Sequence, residues 1–340
     1  MRHINIPVFI PHLGCPNQCV FCNQRTISGV KKFEVASVKS IIDTALSTVT
    51  DDDYAEIAFF GGSFTGIDPS LMIELLEIAS FYVKGGKVKS IRCSTRPDYI
   101  DEEIIEILKK YQVRVVELGL QTISDEVLLK TKRNHTAEDE RRACALIAGA
   151  GITLVGQMMI GLPGATPEDE IKTAEFIVSM GASAARVYPT VVFHETELCD
   201  MAKDGRYTPL SLDEAISRTA EVVKIFRSAG VKVIRVGLHA SENLASEQTY
   251  FAGPNHAALG ELVENKIYFD KIVTEAKKLS LDSDTVIDIK VPKGALSKAV
   301  GQKKQNKILL IEFLRIKDAV FSETDSLNSE EICVLRRKEN

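Results

Sequence analysis

Cys15, Cys19 and Cys22 lie in the run CPNQCVFC, where three thiols are separated by three and then two residues. The chain has seven cysteines, an odd number, and crowding three of them into eight positions suits metal chemistry better than a disulfide framework. Three thiolates can clasp a 4Fe-4S cluster. With one ligand short, one iron keeps an open coordination position, the condition that marks a reactive metal site. A three-cysteine zinc site that borrows His12 as its fourth ligand is the alternative. Cys93, Cys144, Cys199 and Cys333 are scattered and read as buried or incidental thiols.

Other groups able to hold a ligand follow along the chain. In AFFGGSFTG, Gly61 and Gly62, followed by Ser63, suit a close backbone approach to a ligand, or simply a tight turn. STRPDYID carries Ser94 and Arg96, although Pro97 and Asp98 would suit a turn in any case. ELGLQT supplies Glu117 and Gln121, and KTKRNH supplies Arg133, whose planar fork matches a carboxylate. In QMMIGLPG, Met159, Ile160 and Gly161 by themselves read as an ordinary core strand and helix-entry turn. Tyr188, in VYPT, adds an aromatic side chain.

These residues need a frame, and the periodicity supplies one. Short β-branched runs at 6–10, 56–60, 89–93, 114–118, 153–160, 185–189 and 232–236 alternate with helical patterns, as in βα units around a parallel sheet. Asp68 before Pro69 and Thr166 before Pro167 mark helix starts; Thr136 with Asp139 resembles a capping box, and Ser37 is the expected cap of the first helix. Each candidate ligand group falls at the C-terminal end of a strand, where α/β barrels carry their sites. Composition agrees with a folded two-domain chain: 340 residues, 45% apolar and 26% charged, with no apolar run long enough to cross a bilayer. The N-terminus lacks the pattern of a secretory signal, so a cytoplasmic location is expected.

The cysteine spacing, with the aromatic Phe21 just before the third cysteine, resembles the radical S-adenosylmethionine (SAM) superfamily. GGSFT is similar to the elongator catalytic subunit and its relatives, and GPNHAALGELVENK to oxygen-independent coproporphyrinogen-oxidase-like proteins; together the likeness covers most of residues 5–275. It implies a partial (β/α)6 TIM-like barrel of radical SAM type, expected at 1–240, while the change of rhythm after about residue 240 reads as a small α+β C-terminal domain at 241–340. It further implies that Cys15, Cys19 and Cys22 hold a 4Fe-4S cluster whose open iron is chelated by SAM. An electron from a reductant such as flavodoxin or ferredoxin would then cleave SAM to a 5′-deoxyadenosyl radical. By the same resemblance Gly61, Gly62 and Ser63 meet the SAM amino group, Ser94 and Arg96 the ribose, and Arg133 the carboxylate. Gln121 belongs to the same set, and Met159, Ile160, Gly161 and Tyr188 surround adenine.

The substrate expected by analogy is tRNA. The C-terminal segment 290–317 holds eight basic residues and one acidic, although the whole chain has a net charge of −5. Such asymmetry hints at a polyanionic partner. Residues 284–324 read as strand, helix, GQKK turn, helix and strand, which resembles the KH RNA-binding module with Gly301 at the first glycine of its GXXG loop and Lys304 at the second. About 100 residues follow the barrel, too few for the acetyltransferase domain of the elongator family beside these segments. A porphyrin- or haem-handling protein and a non-catalytic zinc-dependent RNA-binding protein are the rival functions.

Overall fold

The computed structural model describes residues 2–10, 15, 19–23, 33–238, 246, 248–328 and 330–337. In chain order it contains β1 (His3–Ile10), α1 (Ala36–Leu46), β2 (Tyr54–Gly61), α2 (Pro69–Lys84), β3 (Ser90–Thr95), α3 (Glu102–Lys110), β4 (Val113–Gln121), α4 (Asp125–Lys130) and α5 (Ala137–Gly149). There follow β5 (Thr153–Ile160), α6 (Pro167–Ser179), β6 (Ala184–Pro189), β7 (Val192–Phe193), α7 (Glu197–Lys203), α8 (Leu212–Ser228), β8 (Lys232–Val236) and β9 (Tyr250–Ala252). The C-terminal part adds α9 (Leu259–Ala276), β10 (Val286–Pro292), α10 (Leu296–Val300), α11 (Gln305–Leu314), β11 (Asp318–Thr324) and β12 (Cys333–Arg336).

All seven expected strand runs join one sheet in the order β1-β2-β3-β4-β5-β6-β8, and every pairing within it is parallel. This is a curled half-barrel with one strand more than six βα units require. Its strands are buried on both faces, which is why Ala55, Ile57, Ala58 and Phe59 of β2 form a nearly continuous apolar run. The face toward the helices is tightly packed: a Cβ at Gly156 of β5 would lie 2.6 Å from Ile177 of α6.

The concave face carries charge instead. Glu56 on β2 accepts from Ser90 and pairs with Arg92 at 3.1 Å; Arg92 reaches Glu117 on β4 at 2.9 Å. Arg186 on β6 grips the same carboxylate through two bonds of 2.6 and 3.0 Å, and Gln157 on β5 donates to it at 2.9 Å. Glu117 is 1% exposed, and these donors satisfy a carboxylate that burial would otherwise leave unpaired.

Helix starts follow local chemistry. The Asp68 carboxylate accepts from the Ser70 and Leu71 amides, and both Thr136–Asp139 and Thr166–Asp169 form complete capping boxes. The first helix departs from expectation. Val35 already has helical φ and ψ, so α1 begins before Ser37, whose hydroxyl donates to the Glu34 carbonyl rather than capping an amide.

The chain divides into two compact units, Met1–Leu212 with Ile225–Asn255, and Asp213–Lys224 with His256–Asn340. No composition shift marks the inclusion of 213–224 in the second unit. That unit has a three-stranded sheet in the order β11-β10-β12, with β11 parallel and β12 antiparallel to β10. Ile287, Ile289 and Val291 of β10 pack with Ile272, Ala299 and Leu310 in its core.

Candidate cofactor site

The cysteine segment is tied to two later parts of the chain. The Val20 amide donates to the Thr131 carbonyl (3.2 Å) after α4, and the Leu198 amide in α7 donates to the Val20 carbonyl (2.8 Å). Val20 itself is buried with Val192, Leu198, Cys199 and Tyr207, and Phe21 packs on the edge of that cluster. A turn closed by the Cys22 amide on the Cys19 carbonyl (3.0 Å) carries two of the thiols. None of the three is in a disulfide; Cys19 is buried and Cys15 and Cys22 are half-buried. His12, the ligand considered for zinc, lies outside the described residues.

Two guanidinium groups converge on Cys19. Arg96 Nη1 and Arg133 Nη1 each donate to its Sγ at 3.5 Å, one from the end of β3 and one from the loop after α4. Both arginines are buried, and each is held from behind. Arg96 forms a two-pronged pair with Asp98 (2.9 Å each) and also donates to the Arg133 carbonyl. Arg133 donates to the Gly119 carbonyl on β4, while its Nε has no hydrogen-bond partner among the described residues.

Behind the arginines lies a chain of titratable groups that sequence reasoning missed. His135 Nε2 meets Glu140 Oε1 at 3.0 Å, and His135 Nδ1 lies 3.5 Å from Asp98. Burial opposes ionisation of Asp98, but hydrogen bonds from His135 and Arg96 overcome it and lower the carboxyl to about 2. Burial pushes Glu140 up to about 7 against the pull of His135. For His135 burial acts downward, and the bonds to Asp98 and Glu140 outweigh it, so the imidazole is raised above its ordinary value. The turn reading of Pro97–Asp98 hid the first member of this chain. The five-residue separation of His135 and Glu140 hid the other two, because it matches neither helical nor strand phase.

The remaining expected residues stand at adjoining strand ends. Register places Ile10 beside Gly61, Ser94 beside Glu117, Gln121 beside Met158, and Met159 beside Tyr188. Gly61 has φ +121°, and a Cβ there would lie 2.7 Å from the Ile10 carbonyl oxygen, so the β1–β2 approach requires glycine. The Gly62 amide donates to that carbonyl at 3.2 Å, and Ser63 is buried after it. Ser94 Oγ receives Gln157 at 3.5 Å. Gln121 has positive φ, and its side-chain oxygen is buried with no partner among the described residues.

At the end of β5 the backbone is heavily anchored. The Ile160 carbonyl accepts from both the Thr190 amide and hydroxyl, the Gly161 amide donates to Glu170 at 2.6 Å, and the Gly161 carbonyl accepts from Tyr207 at 2.7 Å. Tyr188 is pushed up chiefly by burial, with Arg186 acting in the opposite sense. Arg186 itself was not expected as a site residue. The alternation Arg186, Val187, Tyr188 on β6 is the signal that puts both polar side chains on the concave face.

The residues fit an iron-sulfur cluster with a polar organic ligand. Three thiols outside any disulfide and two guanidinium groups at one sulfur suit an anionic sulfur-ligated metal, and the Gln121 oxygen and Arg133 Nε are buried polar atoms with no partner among the described residues. No three His, Cys, Asp or Glu side chains among the described residues close into a ready cage for one ion.

Comparison with known proteins agrees. Residues 9–177 match the radical SAM superfamily and residues 182–268 the radical SAM C-terminal domain. The chain belongs to the radical SAM superfamily, whose members use a 4Fe-4S cluster and SAM. It is 31% identical over 204 residues to a tRNA uridine(34) acetyltransferase of Methanocaldococcus jannaschii, covering 59% of this chain and 36% of that protein. It is 28% identical over 142 residues to Elongator complex protein 3 of Saccharomyces cerevisiae, covering 41% of this chain and 26% of that one. The chain thus spans about a third or less of these curated relatives. Among solved structures, Methanocaldococcus infernus Elp3 with an N-terminal deletion shares the fold, with a TM-score of 0.62 at 22% identity over 82% of this chain and 68% of that one. No helix among the described residues is long and apolar enough to cross a membrane.

Proposed function

We propose that this chain is a cytoplasmic radical SAM enzyme that acts on tRNA, with Cys15, Cys19 and Cys22 as its cluster ligands. The observation that carries the reading is the convergence of Arg96 and Arg133 on Cys19 at the C-terminal ends of the parallel strands. When bound, the 4Fe-4S cluster supplies an open iron for SAM and the electron that cleaves it to methionine and a 5′-deoxyadenosyl radical.

The protein groups divide the rest of the task. Arg133, with an unspent Nε, binds the SAM carboxylate, and the Gly61–Ser63 turn admits the amino group. Arg96 is already committed to Asp98, so it holds Cys19 and Arg133 in place while Ser94 is left to meet the ribose. Gln121 offers its free oxygen to the same ligand, and the anchored Met159–Gly161 backbone walls adenine opposite Tyr188. The half-barrel, up to about residue 240, holds this chemistry, and the later residues hold the nucleic-acid contact. A flavodoxin- or ferredoxin-type reductant supplies the electron. The choice of tRNA draws on the tRNA uridine(34) acetyltransferase for which the Methanocaldococcus jannaschii relative is named and on the basic segment 290–317.

Anaerobic reconstitution, dithionite reduction and chromatography for 5′-deoxyadenosine, with and without bulk tRNA, test the proposal. Iron and sulfide should bind, 5′-deoxyadenosine should form faster with tRNA, and Cys19→Ala should abolish it. Zinc binding without iron or sulfide, or stoichiometric haem binding without SAM cleavage, would overturn it.

A further inference from the structure

The radical chemistry leaves the second unit unused, and its most unusual backbone lies at Gly301–Lys304. This turn joins α10 to α11 between the parallel strands β10 and β11. Gly301 has φ +80°, and a Cβ there would lie 2.9 Å from the Asn306 amide. Lys303 (φ +50°) and Lys304 (φ +64°) are both left-handed, a costly state for residues with a Cβ. Buried Asn306 holds the turn by donating to the Ala299 and Asn265 carbonyls at 3.1 and 2.7 Å. Lys304 therefore adopts the backbone that a second glycine would favour, so the lysine does not prevent the GXXG-type turn.

Charge and exposure then define what this turn can meet. Lys303 and Lys304 are exposed and have no ion-pair partner among the described residues, unlike Lys298 with Glu264 or Lys307 with Asp318. The next helix leaves Ile308, Leu309 and Phe313 exposed, with Lys277 over the Phe313 ring. From Lys304 to Phe313 the helix rises about 14 Å, enough for two or three nucleotides of an extended strand. Uncompensated positive charge at a tight turn beside an apolar, aromatic surface suits a polymer with a regular anionic backbone and unstacked bases. A duplex hides its bases and has no use for the apolar face.

We propose that the Gly301–Lys304 turn clamps the sugar-phosphate backbone of single-stranded RNA, with the exposed side of α11 receiving the bases. The choice of RNA rests on the tRNA-modifying reading above, but binding can be measured without turnover.

The test uses the full chain, without SAM or reductant, and fluorescence anisotropy with a short labelled single-stranded RNA and its duplex. Single strand should bind at least about tenfold tighter than duplex, and Lys303→Glu should weaken single-strand binding about tenfold. Lys290→Glu makes the same charge change on a strand residue that alternates with buried Ile289 and Val291, and so stands on the sheet face away from the helices. It should weaken binding by less than about threefold. Lys304→Gly, which suits the left-handed backbone, should keep the fold and retain binding to within about threefold. Equal losses for Lys303→Glu and Lys290→Glu, equal binding of duplex, or no single-strand binding by the parent chain would overturn the clamp. Loss of 5′-deoxyadenosine formation with RNA binding intact would instead count against the radical reading alone.

Discussion

Glu140 and His135 form a buried pair whose protonation bears on stability. The Glu140 carboxyl is raised from 4.5 to about 7 by burial, so the folded protein holds a proton there that the unfolded chain has already released. His135, raised by Asp98 and Glu140 against the effect of burial, likewise keeps its proton longer in the folded state. Both shifts have the same sign: stability is fullest in mild acid and falls as pH rises through about 7. Thermal denaturation followed across this range should show a falling midpoint. In Glu140→Gln that fall should be clearly shallower, whereas an unchanged slope would assign the pH dependence elsewhere. Asp98, Arg96 and Arg133 face the same imidazole, and Asp125 acts on Glu140, so the variant isolates one member of a connected set.

At the level of elements, the capping boxes carry the most local prediction. Thr166 accepts from the Asp169 amide at 3.2 Å, and Asp169 returns the bond to the Thr166 amide at 2.9 Å. Removing the side chain in Thr166→Ala should cost about 1 kcal/mol, read by denaturant titration. These helix starts were legible because both partners lie within three residues. Strand positions were legible for a similar reason, since buried parallel strands leave short apolar runs between helical patterns. Ser37 was misplaced by two positions because nothing in its own neighbourhood shows that Val35 has already turned into the helix. The Arg96–His135–Glu140 chain was not legible, because its links join positions 39 apart and then five apart. The left-handed Lys304 was hidden as well: Asn306 and packing around α10 impose a backbone that a lysine side chain does not advertise.

At the scale of the molecule, the charged ladder on the concave face ties five strands of the sheet together, β2 to β6, and its members are unequal. Glu117 serves Arg92, Gln157 and Arg186 at once, whereas Arg186 leaves it with two of those donors when removed. Glu117→Gln leaves the half-buried Arg186 without its carboxylate and Arg92 with Glu56 alone, and should cost about 3–5 kcal/mol. Arg186→Met should cost less, and denaturant titration of the two variants tests that order. The sheet's sequential strand order also governs the assembly of the nascent chain. No ladder in it joins residues further apart than His3 and Tyr54, so each new strand can add to its predecessor as synthesis proceeds. The contacts of Cys19 do not share that economy, for Arg96 lies 77 positions later and Arg133 lies 114 positions later. Ribosomal synthesis therefore presents the three thiols long before either arginine that holds Cys19 exists, and the finished pocket around Cys19 must postdate the fourth strand.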